Sequence, residues 1–268
     1  MTSESLVRLE RRGALACITL ARPAAGNALN TELCRDLRAV AETCAAGPDI
    51  RAVLLSAEGR AFCYGGDIAE FEAAGARREA HLAGLAADLH AAQSMLLRIP
   101  APLVVAVQGA AAGAGVGLAM MGDIVLAGDS ASFTLAYSQI GLSPDGGATY
   151  FLPRLIGLRR TQELALTNRR LSAQEALDWG MLTSVSKDED LQTDARRIAE
   201  GLAEGPTAAY GAIRQLLSQA PGAGFAQQTA REGEAISRLA GGDDAAEGIA
   251  AFAAKRAPKF SGWPLDGF

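Results

Sequence analysis

Residues 103–127 read LVVAVQGAAAGAGVGLAMMGDIVLA: an apolar run, a loop carrying Gly109, Gly113, Gly115 and Gly117, a short apolar stretch, and a second apolar run. An apolar run too short for a helix and bounded by glycines predicts a strand buried on both faces. A glycine-rich turn leading from such a strand into a helix lets bare backbone N–H groups approach a ligand that carries, or develops, negative charge. The spacing restricts which anion this is. A nucleotide phosphate loop needs G-x-x-x-x-G followed by Lys and then Ser or Thr, which Gly109 and Gly113 do not provide. Gly113, Gly115 and Gly117 give G-x-G-x-G and not the dinucleotide fingerprint. The same glycines also suit close packing of a helix on a strand, so this segment alone leaves both readings open.

A second loop adds weight to the first reading. Ile50 to Leu55 is a strand candidate, Gly59-Arg60 turns, and AFCYGGDI leads into a helix with Asp67 placed as its N-cap. Two strand, glycine-turn, helix-start units therefore occur. Backbone donors converging from two such turns make an oxyanion hole, which stabilises a carbonyl oxygen gaining charge without using a side chain.

The 268 residues, 49% of them hydrophobic, allow one sizeable core with a small appended subdomain. A net charge of −5 offers no basic face for nucleic acid and no polybasic membrane anchor. The glycine-broken apolar stretches predict no membrane-spanning helix. Cys17, Cys34, Cys44 and Cys63 form no C-x-x-C pair, and MTSESLVRLE carries no apolar signal segment, so a reduced, cytoplasmic protein is expected. His81 and His90 are the sole histidines, and no metal site is expected.

Leu6–Leu9 and Ala14–Leu20 read as a hairpin, Asn30 as the cap of a helix ended at Gly47-Pro48, and residues 77–98 as a longer helix stopped by Pro100 and Pro102. Ser172 and Glu175 form a capping box for a helix ended at Gly180. Beyond Gly205-Pro206 the chain turns to alanine-rich helical segments without a strand signal, which places a boundary near residue 205.

AFCYGGDIAEF and VQGAAAGAGVGLAMMGDIVLA resemble the two oxyanion segments of the crotonase, or enoyl-CoA hydratase/isomerase, superfamily. The likeness continues through SFTLAYSQIGLSPDGGATYFLPRLIG, LSAQEALDWGMLTSV and AAEGIAAFAAKRAPKFSG, and so covers the chain from about Val7. The resemblance implies an α/β spiral of β-β-α units over residues 1–205, and a helical oligomerisation subdomain over residues 206–268. It implies an acyl-CoA thioester as substrate, with coenzyme A entering as part of that substrate and no separate cofactor. A homotrimer or homohexamer is expected. Gly66 and Ala114 are the implied oxyanion donors. Ala28, Cys63, Gly65, Asp67, Ile68 and Tyr137 are implied to border the substrate, and Arg22, Phe252 and Lys255 to contact the coenzyme A phosphates and adenine. The bland readings are a packing role for Cys63, Tyr137 and Phe252 and ordinary surface charges at Arg22 and Lys255.

The acids distinguish reactions within the superfamily. Its hydratases use two glutamates, and the matching positions here are Gly117 and Tyr137. Asp145, within Ser143-Pro144-Asp145-Gly146-Gly147, stands instead where phenylacetate-pathway isomerases of the family carry an aspartate. One carboxylate suffices for a 1,3-proton shift, because the same base takes a proton from one carbon and returns it to another. Pro-Asp-Gly is also a plain β-turn sequence. A histidine matching His90 together with this aspartate occurs in the family's 4-chlorobenzoyl-CoA dehalogenases, which carry tryptophan at the position of Tyr137. An enoyl-CoA isomerase is the leading expectation, with hydratase, dehalogenase and non-catalytic acyl-CoA binder as alternatives.

Overall fold

A computed structural model describes residues 5–261; the first four residues of the N-terminal segment and the last seven of the 206–268 segment lie outside the described residues. The elements run β1 (Val7–Arg12), β2 (Leu15–Leu20), α1 (Thr31–Ala46), β3 (Ala52–Ala57), α2 (Ile68–Ala74), α3 (Arg78–Arg98), β4 (Leu103–Val107), β5 (Ala110–Ala112), α4 (Ala114–Met120), β6 (Ile124–Gly128), β7 (Ser132–Thr134), α5 (Ala148–Thr167), β8 (Leu171–Ser172), α6 (Ala173–Trp179), β9 (Ser184–Ser186) and α7 (Leu191–Ala203). The helices α8 (Thr207–Gln219), α9 (Phe225–Ala240) and α10 (Asp243–Ala253) follow.

One sheet has the order β1-β2-β3-β4-β6-β9, antiparallel at the β1-β2 hairpin and parallel thereafter. Its central strands β3 and β4 are buried at every residue, as strands covered on both faces must be. On one face α1 and α3 close the main core, to which Ile18, Leu33, Leu37, Leu89 and Leu96 belong. On the other face α7 lays Leu191, Ala195 and Ala199 over Leu15, Leu54, Val104 and Leu126. Both faces being apolar, the register of β3 and β4 is fixed by position in the sheet and not by alternation.

A second, three-stranded sheet, β5-β7-β8, was not foreseen from the sequence. Its strands are two or three residues long and composed of small or mixed residues, too short to show a period. Two boundaries also differ from expectation. The first hairpin strand runs past Leu9 to Arg12, directly into the turn that the sequence marks at Arg12-Gly13, where Gly13 takes φ +59°, and the strand expected at Ile50–Leu55 runs Ala52–Ala57. The caps fall where expected: Asn30 accepts from Leu33 N–H, Asp67 from Ala69 and Glu70 N–H, and Ser172 and Glu175 make a reciprocal capping box.

Candidate active site

The site lies where two loops from neighbouring parallel strands meet. β3 runs out through residues 58–67 into α2, and β4 through β5 into α4. An isolated parallel bridge between Cys63 and Ala111 joins the loops, and Ala112 N–H donates to Cys63 O at 2.8 Å. Gly65, at φ +81°, has no room for a side chain, since a Cβ there would sit 2.7 Å from Ala112 O. On the first loop Leu29 N–H donates to Gly65 O and Asp67 N–H to Leu29 O, which fixes the peptide between them. On the second, Gly113 N–H donates to Thr134 O. The N–H groups of Gly66 and Ala114 take no protein acceptor among the described residues, and both residues line one cavity. Donors left open in a largely apolar cavity favour an acceptor that gains negative charge.

The cavity, about 520 Å³, is walled by Leu29, Phe71, Leu82, Leu85, Leu135 and Leu142 as well as by Gly66, Ala114, Tyr137 and Asp145. Asp145 is the one carboxylate among its described lining residues. Its backbone makes the turn that the sequence suggests, with Ala148 N–H donating to Asp145 O at 3.1 Å. Its side chain is not spent on that turn: Tyr137 hydroxyl donates to Asp145 Oδ1 at 2.6 Å. His90 Nε2 stands 3.8 Å from Asp145 Oδ2 and accepts the Gly146 N–H at 3.2 Å. The buried Gln93 amide donates to Gly146 O at 2.8 Å, so two side chains of α3 hold the loop after Asp145.

At position 117 the backbone itself excludes a side chain. A Cβ on Gly117 would lie 2.0 Å from Gly146 O and 2.7 Å from Gly146 C, closer than any real contact. The place where the hydratase pattern has a glutamate is therefore filled by the loop that carries Asp145. This packing, the Tyr137–Asp145 bond and the Gln93 anchor were not legible in the sequence, because each joins positions separated along the chain; His90 was linked to Asp145 through the dehalogenase resemblance alone.

The family model for enoyl-CoA hydratase/isomerase matches residues 10–263. The chain belongs to the enoyl-CoA hydratase/isomerase family. It is 39% identical over 254 residues to the 1,2-epoxyphenylacetyl-CoA isomerase of Escherichia coli K12, covering 91% of this chain and 94% of that protein. It is 37% identical to the Rhodobacter capsulatus protein named "Probable enoyl-CoA hydratase", covering 96% and 98% respectively. The solved structure of an enoyl-CoA hydratase from Polaromonas sp. JS666 superposes with a TM-score of 0.90 at 33% identity, covering 95% of this chain and 99% of that one. The crotonase-like α/β fold expected from the sequence is thus the fold of this enoyl-CoA hydratase/isomerase family member.

The remaining residues singled out in the sequence of this family member divide into three groups. Gly66, Ile68, Ala114, Tyr137 and Asp145 line the cavity together. Ala28, Cys63, Gly65, Asp67 and Arg22 build the loop behind them: Arg22 pairs with Asp67 at 2.6 Å and donates to Ala28 O at 2.9 Å. Burial pushes the Asp67 carboxyl up, but its hydrogen bonds from Arg22 and the α2 backbone outweigh this and hold it below the usual carboxylate range. Cys63 is fully buried in the core, and burial raises its thiol to about 12, away from the thiolate form a nucleophile uses. Phe252 and Lys255 lie at the end of α10 and just beyond it and are not among the residues that line the cavity, with Phe252 88% exposed.

Proposed function

We propose that the protein is an enoyl-CoA isomerase that moves a carbon–carbon double bond through a dienolate held by the N–H groups of Gly66 and Ala114. Asp145 takes a proton from C2 of a 3-enoyl thioester, negative charge gathers on the thioester oxygen, and the same carboxyl returns the proton at C4. The observation that carries this reading is the exclusion of a side chain at Gly117 by the Gly146 carbonyl, which leaves Asp145 as the carboxylate beside the oxyanion donors. The apolar walls suit an uncharged acyl group, and none of the described lining residues is a lysine or arginine that would neutralise a second acid.

The proposed reaction uses no metal and no cofactor besides the coenzyme A of the substrate. No described helix is long and apolar enough to cross a membrane. We place the enzyme in the cytoplasm, assembled as a trimer or hexamer through residues 206–268. The exposed Phe225, Ile236, Ile249 and Phe252 on α9 and α10 support that assembly.

Transfer of label tests the proton step. A 3-enoyl-CoA carrying deuterium at C2 is expected to give a 2-enoyl product with part of the label at C4 when the first turnovers are analysed by mass spectrometry. Complete incorporation of solvent hydrogen at C4 from the first turnover onward would contradict a single carrier that keeps its proton.

A further inference from the structure

The two oxygens of Asp145 stand in different surroundings. Oδ1 accepts a short bond, 2.6 Å, from Tyr137, whereas Oδ2 faces His90 Nε2 at 3.8 Å. That nitrogen is already the acceptor of the Gly146 N–H, so in this arrangement it carries no proton toward Oδ2. One oxygen is therefore capped by a donor, and the other takes no donor among the described residues. Tyr137 and His90 are the titratable groups that face the carboxylate, one from the turn after β7 and one from α3.

We propose that Tyr137 is the positioning residue for Asp145: its hydroxyl pins Oδ1, fixes the carboxyl plane, and leaves Oδ2 as the oxygen that moves the proton. This rests on Asp145 being the proton carrier.

The local fold supports the assignment. Tyr137 opens the turn Tyr137–Ile140, entered through Ala136 at φ +57°, and its ring borders the cavity. The turn is tied at its other end, since Leu142 N–H donates to Tyr137 O at 3.1 Å. The phenol is pushed well above its ordinary range, first by burial and then by the Asp145 charge and their hydrogen bond, so it stays a donor throughout the pH range of an assay. A carboxylate with one oxygen pinned loses rotational freedom before substrate arrives, and misplacing a proton carrier by a fraction of an ångström is costly. A tyrosine serving only as an apolar wall would be replaced by phenylalanine without consequence for kcat.

The test compares Tyr137→Phe, Asp145→Asn and the unaltered enzyme on 3-hexenoyl-CoA. Tyr137→Phe keeps the ring and is expected to lower kcat about 10- to 100-fold with KM changed less than about twofold. An independent readout is the carbon-13 resonance of ring-labelled tyrosine followed through a pH titration. The Tyr137 signal is expected to stay in its phenol form to the highest pH the fold survives, and to ionise earlier once Asp145→Asn removes the neighbouring charge. Full kcat in Tyr137→Phe alongside an inactive Asp145→Asn would overturn the positioning role while leaving the proton carrier in place. A rise confined to KM would overturn it too, making Tyr137 a pocket wall. An active Asp145→Asn enzyme would remove the proton carrier itself, and the positioning role with it.

Discussion

Replacing Asp145 by asparagine is expected to lower kcat for double-bond isomerisation by about 10²- to 10⁴-fold while leaving the affinity for coenzyme A thioesters nearly unchanged. The amide keeps the size of the side chain and the turn closed by Ala148 N–H. Its oxygen still accepts from Tyr137, and its nitrogen replaces Oδ2, the position facing His90, with a group that takes up no proton. Chemistry is thereby separated from folding and binding. Because an Asn-Gly pair deamidates back toward aspartate, the assayed protein is checked by mass spectrometry and a parallel Asp145→Ala variant is measured. A loss of less than about tenfold in kcat would reduce Asp145 to a turn residue.

Ala114→Pro acts on the other half of the site and is expected to cost about 10²- to 10³-fold in turnover. Proline lacks the N–H that the proposed oxyanion hole takes from Ala114, and its ring would fill part of the space a thioester oxygen needs. The first helical position tolerates proline, since an N–H there has no partner within the helix, and Ala114 opens α4 after Gly113. The variant is therefore expected to fold, which circular dichroism and thermal unfolding check. Both kcat and KM are expected to suffer, because the lost donor and the inserted ring act on the bound thioester as well as on the transition state. Full turnover in a folded variant would remove Ala114 from the oxyanion hole.

The sequence carried the strand-loop-helix units clearly, because their signals are local. Val104 to Val107 is apolar at every position, glycines bound the turns, and Asn30, Asp67 and Ser172 stand directly before helical periods. Gly66 and Ala114 were singled out through the same turns and the resemblance they carry, and the structure lines one cavity with both. What the sequence hides is how distant segments meet. Gly117 marks a missing glutamate in one dimension; in three it is the contact point for Gly146, well along the chain, which leaves no room for a side chain there. Gln93 looks like an ordinary position of an alanine-rich helix, and His90 was linked to Asp145 only through the dehalogenase resemblance, yet both hold the Asp145 loop from α3. Arg22 was singled out for a phosphate contact, and the structure adds what the sequence does not show, that its guanidinium ties Asp67 to Ala28 O. A charged residue declares its type in the sequence but not its partner.

The reaction class is decided most directly by product mass in labelled water. The purified enzyme is given a 3-enoyl-CoA and, separately, the matching 2-enoyl-CoA in water enriched in oxygen-18, and the acyl products are resolved by liquid chromatography and mass spectrometry. A single-carboxylate isomerase brings both samples to the same mixture of double-bond isomers with no gain of oxygen. Rapid formation of a labelled 3-hydroxyacyl-CoA, or binding of both thioesters with no conversion of either, would contradict it.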